Sequence, residues 1–400
     1  MSTSPFQRPI WDRGEPVDSE MLAFTIGDDW LHDRRLVAYD IRASQAHVEG
    51  LAQAGLLAHE DATAIRDGLH QLLAAHGRGE WTVEAGDEDV HSAVERRLIA
   101  LIGDPGKRLN TGRSRNEQVA VELLLWLRDA SAEVRALTEG ARAACARLAQ
   151  RHGALSLPGY THLRRATPST AGDWALAHAR AFELDLLEIE HATLRTRECP
   201  LGSGAGYGVP LALRRDIVAR LLGFERPAEP VTYVQHARGR AELAWLTALE
   251  QIALDVEKLA SDLWLFSSQE FGFVRLPVKF TTGSSLMPHK RNPDILELLR
   301  AHARQVIADR IAVADAIRGL PSGYHRDFQL IKPPLFRAHD RIVAMLVLLP
   351  RLLDALEFDA EALQAACADP KLRATERALE KARSGVPFRD AYRDESRGHS

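Results

Sequence analysis

The chain has 400 residues, 46% of them hydrophobic and 26% charged, a composition that predicts a soluble globular protein with a large core and excludes a disordered or fibrous one. Its formal net charge of −4, with both signs spread along the sequence, leaves no basic stripe for a nucleic acid. No stretch has the length of a signal peptide core or of the roughly 20 apolar residues that span a membrane, so we expect a cytoplasmic protein.

The first part of the chain, residues 1 to 108, predicts an N-terminal domain of short helices. Two of them are expected at 33 to 54 and 59 to 76, separated by turns that contain glycine and acidic residues. We expect the rest of the chain to form a central domain at 109 to 356 and a small C-terminal region at 357 to 400.

The central domain contains three long segments whose apolar residues recur at helical spacing, at 114 to 152, 168 to 197 and 240 to 271. Helices of this length indicate a bundle. The segment "VAVELLLWL" at 119 to 127 is apolar on more than one face, which favours an oligomeric bundle over one built from a single chain. Because no run of alternating strand residues is found, the fold class is mainly α.

Cysteine and glycine patterns add two expectations. Cys145, Cys199 and Cys367 are odd in number and far apart, which favours reduced thiols over a disulfide framework. The glycine cluster at 200 to 210, "PLGSGAGYGVP", has glycines at alternate positions and does not match the dinucleotide-binding pattern G-x-G-x-x-G. We interpret it as a tight turn between helices.

The first long helix is preceded by a cationic loop, "LNTGRSRNEQV". Ser114 and Glu117 have the spacing of a capping box, and Arg113 and Arg115 add positive charge where the helix begins. A helix N-terminus offers free backbone N–H groups, so this loop is a candidate anion site.

Two further loops follow the same pattern. In "PGYTHLRRATPST" we expect Thr167 as N-cap and Pro168 as the first helical residue, with Thr161 and His162 just upstream. In "TTGSSLMPHKRNPD", residues 281 to 294, Asn292 is the expected N-cap. Pro293 then opens the helix, and Lys290 and Arg291 precede it. Capping boxes and surface arginines are common, but three such loops together favour a substrate with several negative charges.

The second and third loops also carry groups that can transfer protons. His162 has a side chain that titrates near neutral pH, and Glu297, one turn into the third helix, is a carboxylate that could support it. Ser284 lies on a loop hinged by glycine. A Ser-His-Glu hydrolase is disfavoured because there is no G-x-S-x-G elbow. A metal site is also disfavoured: "EDVH" at 88 to 91 is the nearest candidate and is weak.

These motifs resemble the fumarase/aspartase superfamily. "GSSLMPHKRNP" is similar to its signature loop, and "TGRSRNEQV", "PGYTHLRRA", "EFGFV" and "GYHRDFQLIK" are similar to motifs of the argininosuccinate lyase family within it. The resemblance runs from about residue 20 to "GVPFRDAYR" near the end. It implies a helical homotetramer that cleaves argininosuccinate to arginine and fumarate without a cofactor, in active sites shared between subunits.

The resemblance also implies roles for individual residues. Ser284 is the catalytic base and His162, backed by Glu297, the proton-transfer partner, although the two protons could be assigned the other way round. Lys290 and Asn292 hold the succinyl carboxylate and stabilise the intermediate. The candidate residues for the arginine half are Arg115, Asn116, Thr161, Tyr324, Gln329 and Lys332, with Arg113 and Ser114 from the same loop.

The sequence departs from the family pattern at several positions. Asp29 stands where the family has a substrate-contacting serine, so it would repel carboxylates but could pair with an amino or guanidino group. The segment "YVQHARGRAE" at 233 to 242 lacks the family's acidic "SDRD" pattern. The further departures are Arg164, Thr167, His289 and Arg291. Two alternatives stay open: a lyase acting on another N-succinyl compound such as adenylosuccinate, or a non-enzymatic structural relative.

Overall fold

The computed structural model describes residues 18–397, and these are mainly α-helical, which confirms the predicted fold class. The helices are α1 (Ser19–Ile26), α2 (Asp29–Asp33), α3 (Val37–Gln53), α4 (His59–Gly77), α5 (Val90–Ile102), α6 (Arg115–His152), α7 (Ala171–Thr193), α8 (Arg215–Leu221), α9 (Tyr233–His236), α10 (Arg240–Phe266), α11 (Asp294–Ile317), α12 (Lys332–Asp354), α13 (Ala360–Cys367), α14 (Ala374–Arg383) and α15 (Phe388–Arg397). In this part of the chain no helix has the length and apolar character needed to cross a membrane.

The predicted long helices are confirmed, with shifted ends. The segment predicted at 114 to 152 contains a single helix of 38 residues, α6 (Arg115–His152). Helix α7 begins at Ala171 and α10 ends at Phe266, so both are shorter than their apolar patterns predicted. Thr170 accounts for the later start of α7: its Oγ1 accepts a hydrogen bond from the Asp173 backbone N–H at 2.9 Å and donates one to the Asp173 carboxylate at 2.8 Å.

Short strands are also present, although the sequence shows no run of alternating strand residues. They are β1 (Ser156–Thr161), β2 (Arg164–Thr170), β3 (Glu198–Cys199), β4 (Arg226–Pro227), β5 (Val274–Arg275), β6 (Thr282–Gly283), β7 (Arg291–Asn292) and β8 (Glu357–Phe358). Within residues 18–397 they form four two-stranded sheets, in which β1 pairs with β2, β3 with β4, β5 with β8 and β6 with β7. Most of these strands have two residues, too few to leave an alternating pattern in the sequence.

The chain divides into two compact units. Unit 1 comprises residues 18–132, 189–248 and 308–339, and unit 2 comprises 133–188, 249–307 and 340–397. Each boundary between these ranges falls inside one of the helices α6, α7, α10, α11 and α12. The division into three sequence regions, at 1 to 108, 109 to 356 and 357 to 400, stays a prediction.

Unit 1 has a dense apolar core between its short N-terminal helices and α6. Helix α4 lies against α5 at Gly68, where an added Cβ atom would stand 2.7 Å from Leu98 Cδ1. Gly50 of α3 has the same relation to Val218 of α8, again at 2.7 Å. These two glycines therefore set how closely the helices approach, which fixes the framework carrying the helix N-termini described below.

Unit 2 is held by an apolar cluster around Trp174 and by ion pairs at its surface. The Trp174 indole donates a hydrogen bond to the Asp262 carboxylate at 2.9 Å, which joins α7 to α10. Arg147 of α6 makes two hydrogen bonds to Asp354 of α12, at 3.0 and 2.8 Å. Strand β1 packs beside α13, so the β1–β2 hairpin is supported from one side.

The glycine cluster forms tight turns and the cysteines are unpaired, as the sequence indicated. Gly202, Gly204, Gly206 and Gly208 all have positive φ values, so residues 200 to 210 form a series of tight turns. The cluster follows strand β3, however, where we expected a helix. Cys145 and Cys199 are buried, and all three cysteines are free.

Candidate active site

Unit 1 contains a pocket of about 230 Å³ that brings together six of the predicted site residues: Asp29, Arg115, Asn116, Tyr324, Gln329 and Lys332. We call it the unit 1 pocket. Several lie at helix starts, since Asp29 opens α2, Arg115 opens α6 and Lys332 opens α12. Of these three, the start of the long helix α6 gives the pocket partial positive charge beyond that of its side chains.

Lys332 lies at the base of the unit 1 pocket between two carboxylates. Its Nζ is 2.6 Å from Asp29 Oδ1 and 2.6 Å from Asp33 Oδ1, and its side chain is 2% exposed. Burial alone would lower the pKa of Lys332, but Asp33 and Asp29 outweigh it and raise the pKa. The lysine is therefore a fixed, fully charged group that is already paired.

Asp29 is the partner of Lys332 that faces the pocket. Burial raises the pKa of Asp29 to about 6, against the opposing effect of Lys332. Gln329 fixes the segment before it, because its side-chain amide donates to the backbone carbonyls of Thr25 and Ile26 at 3.1 and 2.8 Å. With a pKa of about 6, the Asp29 carboxylate is the group on this pocket wall whose charge changes between neutral and mildly acidic pH.

Arg115 stands on another wall of the same pocket and is ion-paired. Its Nη1 is 2.7 Å from Glu88 and 3.0 Å from Asp89, and its Nη2 donates to the Ser92 hydroxyl at 2.8 Å. Asp89 also caps α5, because its Oδ1 accepts the Ser92 backbone N–H at 2.7 Å. The "EDVH" run, weighed above as a metal site, thus provides a helix cap and the partners of Arg115.

The histidine of that run points to a buried cluster in unit 1. His91 Nδ1 is 2.9 Å from Asp40 and 3.1 Å from Glu122, and all three residues are buried. Burial alone would lower the pKa of His91, but Glu122 and Asp40 outweigh it and raise the pKa well above its usual value. These three side chains offer atoms within 4.8 Å of one another, and burial raises the pKa of Glu122 well above its usual value. The cluster fits an ion-pair network that ties α3, α5 and α6 together.

Arg113 and Ser114 precede α6, and the capping box predicted there is present. The Ser114 backbone N–H donates to Glu117 Oε1 at 3.2 Å, and Ser114 Oγ accepts from the Asn116 N–H at 3.3 Å. Arg113 donates to Ser44 at 3.0 Å and to Asn110 at 2.6 Å. These contacts hold the loop in place, and substrate binding by Arg113 and Ser114 stays a prediction.

The signature loop, residues 281 to 294, belongs to unit 2 and is mostly exposed. Ser284 is half-buried, and its Oγ accepts hydrogen bonds from the backbone N–H groups of Leu286 and Met287 at 3.3 and 3.0 Å. Lys290 is exposed and its ammonium makes no hydrogen bond or ion pair within residues 18–397. The loop therefore presents a serine hydroxyl and a free ammonium group.

Asn292 was predicted to cap the third helix, and this is wrong. It belongs to strand β7, its side chain donates to the Gly283 carbonyl at 3.3 Å, and α11 begins two residues later at Asp294. Lys290, Asn292 and Glu297 nevertheless line one open cleft of about 860 Å³ in unit 2, beside the C-terminal end of α10. A carboxylate bound there would meet the Lys290 ammonium.

Thr161 and His162 lie in the β1–β2 hairpin, not at a helix N-terminus, so Thr167 and Pro168 do not begin the helix as predicted. Thr161 ends β1, and His162 and Leu163 form the two-residue turn with φ values of 54° and 57°. Within residues 18–397 the His162 side chain makes no hydrogen bond or ion pair, and the same is true of Glu297. Their pairing therefore stays a prediction.

Arg238 was missed as a site residue, although it also lines the unit 1 pocket. The only signal in the sequence was that "YVQHARGRAE" lacks the family's "SDRD" pattern. Nothing in helical periodicity or capping distinguishes this arginine from a surface one, because its burial depends on rings contributed by residues more than eighty positions away.

Comparison with known proteins decides the family. A family model described as lyase matches residues 14–308. The argininosuccinate lyase of Sorangium cellulosum is 46% identical, over 96% of this chain and 89% of its own length. That of Thermotoga neapolitana is 38% identical, over 96% of both chains.

The chain belongs to the argininosuccinate lyase family. It is therefore a lyase, and the resemblance stated from its motifs is confirmed.

Solved structures of lower sequence identity share the fold of this chain. A crystal structure of EDDS lyase in complex with formate matches with a TM-score of 0.82 at 23% identity, over 96% of this chain and 76% of that chain. A fumarate lyase:delta crystallin from Brucella melitensis matches with a TM-score of 0.79 at 21% identity, over 92% of this chain and 84% of that chain.

Proposed function

We propose that the chain cleaves argininosuccinate by β-elimination to L-arginine and fumarate, as an enzyme of arginine biosynthesis. Membership of the argininosuccinate lyase family supports this substrate. The observation that carries the proposal is the unit 1 pocket, where both acidic and basic groups surround a space suited to an amino acid. The amide of Asn116 and the hydroxyl of Tyr324 make no hydrogen bond within residues 18–397 and are available to a ligand.

The chemistry requires a proton to leave a carbon beside a carboxylate. That step is difficult because the negative charge moves onto a group that is already anionic, so fixed cations around the carboxylate should supply most of the acceleration. In the proposal the Lys290 ammonium and the Asn292 amide hold this carboxylate. Both line the cleft of unit 2.

Ser284 and His162 complete the proposed reaction. Ser284 Oγ, as the alkoxide, removes the proton, the electron pair forms the double bond of fumarate, and the carbon–nitrogen bond breaks. His162 supplies a proton to the departing guanidino nitrogen, supported by Glu297. Neither the His162 imidazole nor the Glu297 carboxylate is committed to another side chain of the described residues, so both are open to these roles.

We further propose that the enzyme is a cytoplasmic homotetramer with active sites shared between chains. The support is the family resemblance together with exposed leucines on α7, which are Leu176, Leu184 and Leu187. Such an apolar face favours burial against other helices. In these shared active sites, Thr161 at the end of β1 also binds the arginine half of the substrate.

Release of fumarate tests the proposed reaction. Purified protein is mixed with argininosuccinate and, in a separate experiment, with adenylosuccinate, and the ultraviolet absorbance of the fumarate double bond is followed. We expect an increase with argininosuccinate alone. An increase with adenylosuccinate alone would move the enzyme to the other substrate, and no increase with either, from protein that circular dichroism shows to be folded, would overturn the proposed activity.

A further inference from the structure

Two long helices of unit 2, α7 and α10, meet along a seam that carries several titratable side chains. His178 of α7 has its Nε2 3.4 Å from Asp262 Oδ2 of α10, which fixes the register of the two helices. Asp185 follows His178 by seven residues, and Asp255 precedes Asp262 by seven. Seven residues are about two helical turns, so in antiparallel helices the two aspartates stand at the same level. The effect of the Asp255 charge on the Asp185 pKa agrees with this placement.

Asp185 is the buried member of this aspartate pair. It is 2% exposed, and its Oδ2 atom is inaccessible to solvent and has no hydrogen-bond partner within residues 18–397. Asp255 is half-buried. Asp33 of unit 1 is as deeply buried, but it lies 2.6 Å from the Lys332 ammonium. An ionised carboxylate buried without such a partner is strongly unfavourable, because it loses its hydration and gains no contact in return.

The charged groups that act on Asp185 within the described part of the chain are both acidic. They are Asp255 across the seam and Glu188, which follows Asp185 by three residues on α7 and is exposed. Burial, Asp255 and Glu188 together raise the pKa of Asp185 to about 8. The nearby cations Lys258 and His178 act on Asp255 instead, where they oppose the rise in pKa that burial causes.

We propose that Asp185 is a proton-dependent contact between α7 and α10: it packs as the neutral carboxylic acid in neutral solution, and its ionisation in mildly alkaline solution destabilises unit 2. A neutral carboxyl group has an O–H that the Asp255 carboxylate can accept, whereas the ionised group has no donor. Ionisation would also place two negative charges opposite each other in the seam. This inference goes beyond the proposed reaction and does not depend on it.

The seam continues towards the cleft that carries the signature loop. Helix α10 runs without a break from Asp255 to Trp264, which lines that cleft together with Lys290. The nine residues between Asp255 and Trp264 span about 13.5 Å of one helix. Weaker packing of α10 against α7 would therefore affect the part of unit 2 that holds the residues proposed for catalysis.

Unfolding at different pH values tests the proposal with Asp185→Asn, which has nearly the same shape and cannot ionise. Both full-length proteins are unfolded with urea at one fixed protein concentration between pH 5 and pH 9. A raised pKa in the folded state means that unfolding releases a proton, so stability falls as the pH rises towards 8 and levels off above it. The equilibrium constant of unfolding should therefore increase by up to about tenfold per pH unit, relative to that of Asp185→Asn. The ratio of the two constants cancels the titration of other groups.

Two further variants provide controls for this ratio. Asp255→Asn removes the opposing charge, so the pKa of Asp185 should fall and the change in stability should end at a lower pH. Glu188→Gln alters an exposed acid of the same helix and should shift that end point less, because water screens its charge. A ratio that does not change with pH overturns the proposal. Lower stability of Asp185→Asn at every pH overturns it too, since Asp185 would then act as a carboxylate, for example towards a cation of another copy.

Infrared spectroscopy detects the proton itself. A neutral carboxyl group has a C=O band at a frequency where carboxylates do not absorb, and isotope labelling of aspartate separates its band from those of glutamates. We expect an aspartate band at pH 7 that decreases as the pH rises through about 8 and is absent from Asp185→Asn. No such band, or one that persists in Asp185→Asn, contradicts the proposal. If Asp185→Asn does not fold, Asp255→Asn provides the second readout, because its band should disappear at a lower pH.

Discussion

Two lysines show how differently the two units prepare their groups for a ligand. Lys332 of unit 1 is 2% exposed and lies between two carboxylates, whereas Lys290 of unit 2 is exposed and its ammonium has no partner within residues 18–397. The first is fixed by its own unit before any ligand arrives. The second is not held in one position by its own unit within these residues.

The same contrast holds for the other proposed residues of each unit. In the unit 1 pocket, Arg115 and Gln329 make side-chain hydrogen bonds within their own unit. In unit 2, His162 lies in an exposed turn and Ser284 Oγ contacts only backbone N–H groups of its loop. Substitutions should therefore affect stability mainly in unit 1 and chemistry mainly in unit 2.

The largest expected effect is on turnover, from the exposed groups of unit 2. Ser284→Ala and His162→Asn should each slow kcat about 10²–10⁴-fold, because each removes a proton-transfer group. Oligomer size should stay unchanged in both, and neither should unfold at a lower temperature, since neither side chain supports the core and asparagine tolerates the left-handed backbone of residue 162. Near-normal kcat in both variants would remove the proposed mechanism.

A matched pair of lysine substitutions tests the contrast in stability. Lys332→Met leaves Asp29 and Asp33 buried without their cation and should lower the free energy of unfolding by about 3–5 kcal/mol. Lys290→Met removes an exposed, unpaired ammonium and should change it by less than about 0.5 kcal/mol while lowering kcat. Urea unfolding of the two variants measures both values. If the two variants had the same free energy of unfolding, the buried ion pairs of Lys332 with Asp29 and Asp33 would not stabilise unit 1.

The pH dependence of arginine binding should report on Asp29. Its pKa is raised to about 6, so the carboxylate is charged above that pH and neutral below it. Because the ionised form attracts the α-amino group, affinity for L-arginine should fall as the pH falls, by about tenfold between pH 7 and pH 5. Calorimetry across this range gives the profile. Asp29→Asn should flatten it, and an unchanged profile in that variant would assign the titration to another group.

The sequence predicted the long helices well, because their apolar spacing is a local property. It also predicted six lining residues of the unit 1 pocket, five through similarity to family motifs and Asp29 as a departure from the family pattern. It did not predict the β1–β2 hairpin, because a turn of His162 and Leu163 lacks the glycine or asparagine that marks such turns. It missed Arg238 because its burial depends on Tyr324 and Phe328, which only the fold brings near.

The smallest expected effect concerns the hairpin turn that carries His162. Leu163 has a φ of 57° and is 72% exposed, so an ordinary side chain occupies left-handed backbone with little packing in return. Leu163→Asn should raise the free energy of unfolding by about 0.5–1 kcal/mol, because asparagine tolerates this conformation, whereas Leu163→Ala keeps the unfavourable backbone and should not. Thermal unfolding at one fixed protein concentration compares them.

Substitutions at Leu163 also distinguish backbone strain from burial in an oligomer. Strain changes the free energy of unfolding alone, whereas burial in an oligomer also changes how unfolding depends on protein concentration. If another copy of the chain covers its side chain, asparagine and alanine should both weaken the oligomer, and unfolding should become more dependent on protein concentration. If strain alone matters, only asparagine raises stability and the concentration dependence stays as it was. An equal gain from alanine and asparagine would contradict both accounts, since neither strain nor assembly favours alanine at this position.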